Sequence, residues 1–311
     1  MANRIFIDGA AGTTGLEILD RLKGRDEFEL IALDEERRKD TDARREALNE
    51  ADIAILCLPD DAARDAMDLL DPASGTRIID ASSAHRTTEG WCYGFPELVG
   101  RERVAEARRV SNPGCYPTGF LGLIAPLVRE GLLPTDWPYT VHAVSGYSGG
   151  GKALVERFES ADSAMAFRTY GLAMGHKHLP EMQKHAGLTL QPLFAPAVVD
   201  AYRGMVLEVP LPLAGIADDE PVSAGRLREC LDEFYADSTV VTTPLARPDE
   251  ILIAADAKPW DGMEMFVYAS EDQAQARLVA RLDNLGKGAS GAAIQNLNLM
   301  CGLPETAGLS L

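Results

Sequence analysis

The chain opens on a short apolar run, NRIFID at residues 3–8, which leads through GAAGTTG into LEILDRLKG, where Leu16, Ile18, Leu19 and Leu22 share one helix face. The pattern predicts a strand, a glycine-rich turn and a helix. Further β-prone runs follow at 28–34 (FELIALD), 51–59 (ADIAILCLP) and 76–82 (TRIIDAS), with helical or loop material between them. Strands that are apolar along most of their length and separated by helices predict a parallel sheet covered on both faces, the Rossmann-like doubly wound α/β plan.

Beyond residue 115 the texture changes. A helix is predicted over 118–131 with Pro117 in its first turn, and the segments YTVHAVSG, GMVLEVPLP, STVVTTP, EILIAADA and MEMFVYAS then alternate more strictly, predicting a second, α+β domain. The tail LDNLGKGASGAAIQNLNLMCGL returns to small residues around Ala292, Ala293, Ile294 and Leu297 and predicts a closely packed helix returning to the first domain. The expected division is 1–114 for nucleotide binding, 115–283 for catalysis and oligomerisation, and 284–311 for the C-terminal helix.

Composition narrows the classes. With 311 residues, 46% hydrophobic and 25% charged, the chain has room for two cores. No apolar stretch has the length of a membrane span, and the first residues lack the plan of a secretion signal, so a cytoplasmic location is expected. A net charge of −18 opposes non-specific binding to nucleic acid or to an anionic membrane, so any anionic ligand must be held by local charges. The five cysteines, Cys57, Cys92, Cys115, Cys230 and Cys301, are odd in number and lack CxxC spacing; they read as free thiols.

The turn at 9–15 carries Gly9, Gly12 and Gly15, with Thr13 and Thr14 opening the helix. Glycine lets a backbone approach a pyrophosphate closely, and a helix N-terminus offers free N–H groups and a favourable dipole. The position after the first strand of a doubly wound domain makes this a candidate dinucleotide site. Asp34 ends the second strand where an acid grips the ribose of NAD, while Arg37, Arg38 and Lys39 follow where cations grip the 2′-phosphate of NADP. Glu35 and Glu36 dilute that cluster, and an exposed mixed-charge loop is the other reading.

Cys115 stands apart from the other thiols. In SNPGCYPTG, Gly114 frees the backbone to turn and Pro117 suits a first helical turn, so Cys115 is expected at or just before a helix N-terminus, where the dipole stabilises a thiolate. A nucleophilic cysteine beside a nicotinamide cofactor points to interconversion of an aldehyde and an activated acyl group through a thioester. That chemistry needs a proton carrier. GHKHLPEMQKH at 175–185 offers His176 and His178, expected in an extended or loop segment ahead of a helix starting near Pro180, and pointing the same way if that segment is extended. No matching Cys or His pair completes a zinc site, so no metal is expected. His185 reads as a surface residue and His142 as a strand residue. Two loops could hold anions: SGYSGGGK at 145–152, with Ser145, Ser148 and Lys152, and DASSAHR at 80–86, with Ser82, Ser83 and Arg86.

GAAGTTG, DASSAHR, SNPGCYPTG, SGYSGGGK, GHKHLPEM and DNLGKGASGAAIQNLNLM occur in an order and spacing that resembles the N-acetyl-gamma-glutamyl-phosphate reductases, in their shorter form, within the aspartate-semialdehyde dehydrogenase superfamily. The resemblance spans nearly the whole chain. It implies NADPH-dependent reduction of an acyl phosphate to a semialdehyde in arginine biosynthesis, with Cys115 as nucleophile and one histidine of His-x-His-x-Pro-Glu as acid/base; His178 is favoured, with His176 contacting substrate. It also implies that Ser82 and Asn284 lie on the cofactor side, that the substrate is a small anion, and that the protein is a homodimer or homotetramer. The sequence departs from the family at Gly149–Lys152, commonly Gly-Ala-Gly-Arg, and at Ala84-His85-Arg86, more usually Ala-Asp-Phe-Arg. Other readings are a related aspartate-semialdehyde or carrier-linked lysine-pathway reductase, and a catalytically silent dinucleotide sensor.

Overall fold

A computed structural model describes residues 2–216 and 222–311. The chain forms two compact units, Met1–Gly114 with Ala289–Leu309, and Cys115–Gly288 with Ser310–Leu311.

The first unit is built on a six-stranded sheet of β1 (Asn3–Asp8), β2 (Phe28–Ile31), β3 (Ile53–Leu56), β4 (Arg77–Asp80), β5 (Cys92–Tyr93) and β6 (Arg109–Ser111), ordered β2-β1-β3-β4-β6-β5. Every pairing is parallel. Because side chains alternate across a strand, each apolar run feeds two cores. Ile5, Ile7, Ile53, Ile55 and Ile79 pack on one face; Phe6, Ala54, Leu56 and Ile78 pack on the other. The tail helix Gly291–Met300 closes the first of these cores with Ala293, Ile294, Leu297 and Met300, so the C-terminal helix does return to the first domain.

The second unit carries a seven-stranded mixed sheet. Its strands are β7 (Thr140–Gly146), β8 (Phe167–Thr169), β9 (Leu193–Val199), β10 (Met205–Pro212), β11 (Val241–Thr242), β12 (Met263–Ala269) and β13 (Gln275–Leu282), ordered β11-β12-β13-β10-β7-β9-β8. The helix Cys115–Arg129, buried from Tyr116 to Leu127, packs on the sheet. It starts three residues earlier than the predicted 118, so Cys115 is its first residue.

Two expectations for this unit need revision, and one strand goes beyond them. EILIAADA forms no strand: Ile251 and Ile253 are half-buried, Leu252 is exposed, and the segment lines a cavity of about 450 Å³ with His142, Val206 and Glu208. The strands it meets across that cavity, β7 and β10, are already paired on both sides, so it has no edge to extend there. STVVTTP contributes only the two residues of β11. Conversely, β9 forms although Pro196 interrupts its pattern, a residue that usually argues against an interior strand.

Candidate active site

The glycine-rich turn lies in the first unit. Gly9, at φ +88°, occupies a conformation that disfavours a side chain, and a Cβ there would collide with the Cys57 carbonyl. A Cβ on Gly15 would lie 2.6 Å from the Gly9 carbonyl oxygen and 2.8 Å from Ala10 Cα, so the turn closes only as glycine. Gly12 precedes the helix Thr13–Leu22, whose first turn carries no acidic residue and whose N-terminus has no side-chain cap. Half-buried Thr13 and Thr14 open that helix. Free amides, a glycine cradle and no competing carboxylate in that turn fit a pyrophosphate. Asp8, immediately before the turn, is neutralised by Arg44, which donates to its carboxylate through Nε at 3.1 and 3.2 Å and Nη2 at 2.8 Å.

In the loop after β2 the charges are paired locally. Asp34 Oδ1 accepts from the backbone N–H of Arg37 at 2.8 Å, so its carboxylate folds the turn. Arg37 pairs with Glu46 at 3.3 Å and Arg38 with Glu35 at 2.9 Å, all on exposed side chains. These are weak, exchangeable pairs that an arriving phosphate can outcompete.

In DASSAHR, the buried Asp80 carboxylate gathers the loop. It accepts from the Ser82 N–H and hydroxyl, both at 2.8 Å, and bonds His85 Nδ1 at 2.6 Å, while His85 stacks on Trp91 at 4.1 Å. The His85 departure is thus a structural brace. Arg86, expected to face a carboxylate, directs Nε to the Asn112 carbonyl at 2.9 Å and Nη2 to the Ala81 carbonyl at 3.2 Å. It therefore ties DASSAHR to the segment that leads into Cys115.

The second unit holds the thiol. Cys115 is half-buried and opens its helix, whereas burial raises the thiols of Cys57 (to about 12), Cys301 (to about 11), Cys92 and Cys230. Those four stay protonated near neutral pH. Around the start of the helix stand Tyr116, Tyr170, Phe194, His176 and His178; nothing in the local sequence marks Tyr116, Tyr170 or Phe194 for this place. Tyr116 lies 5.0 Å from Phe194, 6.2 Å from His176 and 5.9 Å from His178 between ring centres, and Tyr170 is 5.7 Å from His176. Burial pushes the Tyr116 phenol well up and that of Tyr170 to about 12, so both remain neutral; the Tyr170 hydroxyl donates to that of Tyr116 at 3.2 Å, and Tyr116 donates to the Ala197 carbonyl at 3.2 Å.

The two histidines are brought together by a turn, with their rings 4.7 Å apart. His178 is helical (φ −85°, ψ −14°) and caps the helix Leu179–Ala186, which replaces the extended geometry considered for this segment. Its backbone N–H donates to His176 Nδ1 at 3.2 Å, leaving the His176 proton on Nε2. Burial, and then Lys177, lower the pKa of His176. His176 is therefore a neutral imidazole that offers an Nε2–H donor. His178 is buried, and His185 is half-buried further along the helix.

Ser145 and Ser148 are buried in the SGYSGGGK loop, and Lys152 lies exposed on the first turn of the helix Gly151–Glu159. Asn284 uses both ends of its side chain here: Nδ2 donates to Ser148 Oγ at 2.9 Å, and Oδ1 accepts from Gly204 N at 3.0 Å. These bonds use one of the two Nδ2 donors and one lone pair of Oδ1, and they fix the orientation of the amide.

Residues 4–107 match the family described as semialdehyde dehydrogenase, NAD binding domain, and residues 115–284 match semialdehyde dehydrogenase, dimerisation domain. Fold and thiol site thus define a semialdehyde dehydrogenase-type oxidoreductase. The same fold recurs in aspartate semialdehyde dehydrogenase II from Vibrio cholerae (TM-score 0.68, 17% identity, 96% of this chain and 98% of that one) and in the Francisella tularensis aspartate semialdehyde dehydrogenase (TM-score 0.69, 13% identity, 96% and 100%). Much nearer in sequence are the N-acetyl-gamma-glutamyl-phosphate reductases of Trichormus variabilis, 49% identical over 98% of this chain and 99% of that one, and of Burkholderia lata, 50% identical over 97% and 98%. The chain belongs to the N-acetyl-gamma-glutamyl-phosphate reductase family.

Proposed function

We propose that this chain reduces N-acetyl-L-glutamyl 5-phosphate to N-acetyl-L-glutamate 5-semialdehyde with NADPH, releasing phosphate, as a cytoplasmic enzyme of arginine biosynthesis. The observation that carries the reading is Cys115, half-buried at the first position of its helix, in the same unit as the His176–His178 pair.

Helix N–H groups favour the Cys115 thiolate. Its sulfur attacks the acyl carbon; the C–O bond to phosphate breaks, the phosphate leaves with the bonding pair, and a thioester remains. A nicotinamide dinucleotide bound at the glycine turn would supply the hydride that reduces the thioester carbon. His178, as general acid/base, manages the proton at the carbonyl oxygen, and collapse of the thiohemiacetal re-forms the C=O bond and returns the sulfur as thiolate. His176, held neutral with Nε2–H outward from its lock, donates to the substrate. Ser145, Ser148 and Lys152 serve the anionic groups of the substrate, with Arg86 holding the entry to Cys115. Gly9, Gly12, Thr13, Thr14, Gly15 and Ser82 serve the cofactor, and the loose cations Arg37, Arg38 and Lys39 favour NADPH over NADH.

The test is the reverse reaction. Reduction of NADP should require both N-acetylglutamate semialdehyde and phosphate (or arsenate), and should vanish in Cys115→Ala. Turnover of aspartate semialdehyde at an equal rate, or undiminished activity in Cys115→Ala, would overturn the reading.

A further inference from the structure

The geometry points to the turn Asp283–Gly288 as the device that positions Cys115, with Gly288 as the positioning residue; this rests on the assignment of Cys115 as nucleophile.

Gly288 lies in the π-helical turn Gly286–Ser290, where its N–H reaches back five residues to the Asp283 carbonyl at 3.0 Å. A Cβ at 288 would lie 2.8 Å from Cys115 Cβ, 3.3 Å from Cys115 Cα and 3.0 Å from the Asp283 oxygen. The absent side chain is thus the space against which the nucleophile's own β-carbon rests. Neither side of that contact can yield easily. Cys115 is fixed by a helix buried from Tyr116 to Leu127.

The turn is held from three directions. The Asp283 carboxylate, 4% exposed, takes Arg203 Nη1 at 2.9 Å on one oxygen and the Leu285 N–H at 2.9 Å on the other. Its carbonyl accepts from Gly286 as well as Gly288. Asn284 clamps Ser148 and Gly204, as described above. Gly286 backs onto the Trp260 carbonyl, which a Cβ would strike, and the neighbouring Asp261 exchanges two hydrogen bonds with Ser310, at 2.7 and 2.9 Å. A turn anchored this thoroughly and pressed on one sulfur-bearing carbon fixes where the thiol points. Displacement of about 1 Å at a reacting centre costs about 100-fold in rate.

The experiment compares Gly288→Ala with Gly122→Ala. The second variant, on the same helix as Cys115 but seven residues further along, places a methyl 2.5 Å from the Cε of Met263 in β12, and so reports overpacking of that helix away from the thiol. For each, kcat, NADPH affinity by fluorescence titration, and the iodoacetamide alkylation rate of the Cys115 peptide by mass spectrometry are measured. Gly288→Ala should lose about 100-fold in kcat, slow Cys115 alkylation by about 10-fold or more, and bind NADPH as the parent does. Gly122→Ala should alkylate at the parent rate. Parent alkylation of Cys115 in Gly288→Ala, or equal slowing in both variants, overturns the positioning role. If alkylation of the parent at Cys115 leaves turnover intact, it is the nucleophile assignment that fails.

Discussion

Removing Arg44 tests whether the glycine turn depends on a neutralised Asp8. The pair is nearly buried, with side chains 16% and 4% exposed, and the guanidinium meets both carboxylate oxygens. Arg44→Ala leaves a buried carboxylate without its counter-ion at the end of β1, one residue ahead of Gly9. Breaking a buried pair in this way costs about 3 to 5 kcal/mol; the residual exposure of Arg44 favours the lower end, about 3 kcal/mol. For a domain of this size that is a fall in Tm on the order of 10 °C. The orphaned charge also sits one residue ahead of the turn proposed to take a pyrophosphate, so NADPH affinity should fall as well. Thermal melts and fluorescence titration of Arg44→Ala, Asp8→Asn and the double variant separate lost packing from stranded charge. The double variant should recover most of the stability and affinity lost in Arg44→Ala. If it is as weak as Arg44→Ala, the charge argument is wrong and Arg44 acts through packing alone.

Three further outcomes follow from the second unit. With Nδ1 of His176 occupied and its proton on Nε2, His178→Asn should slow turnover more than His176→Asn and should erase the limb of the kcat pH profile that reports the acid/base; the opposite ranking would exchange their roles. The lowered pKa of His176 also has a sign: below the ordinary value of 6.5 the unfolded chain binds a proton that the folded protein resists, so stability falls as pH drops through that window and is level above it. Denaturant melts from pH 5 to 7 should show that slope in the parent and lose it in His176→Asn. The dimerisation domain leads us to expect at least a homodimer, built through the second sheet, and light scattering giving the 33.5 kDa mass of one chain would exclude it.

What could be read in the sequence was whatever short-range chemistry dictates. NRIFID followed by GAAGTTG is strand, turn and helix because apolar alternation, glycine spacing and a helix start lie within about twenty residues of one another, and all six strands of that sheet pair in parallel. Cys115 was legible for the same reason: Gly114 and Pro117 mark a helix start locally. The rest is non-local. EILIAADA has the period of a strand, yet it lies beside β7 and β10, whose edges are both taken. Arg86 has the chemistry to bind a carboxylate, and only the fold shows two of its donors committed to the Asn112 and Ala81 carbonyls.

The same distinction separates the reacting groups from the groups that aim them. A nucleophile, a proton carrier and a glycine cradle each need a particular functional group, and that need restricts residue type at one position strongly enough to be seen. Positioning needs only that a surface be present or absent at the right distance. Gly288 offers no chemistry at all, and its neighbour in space, Cys115, is 173 residues away in the chain. Likewise, the tautomer of His176 is set by a backbone N–H that any residue at 178 except proline would carry. The side chain at 178 can therefore be exchanged for asparagine while the lock on His176 persists, which is why the two histidine variants can separate proton transfer from substrate contact.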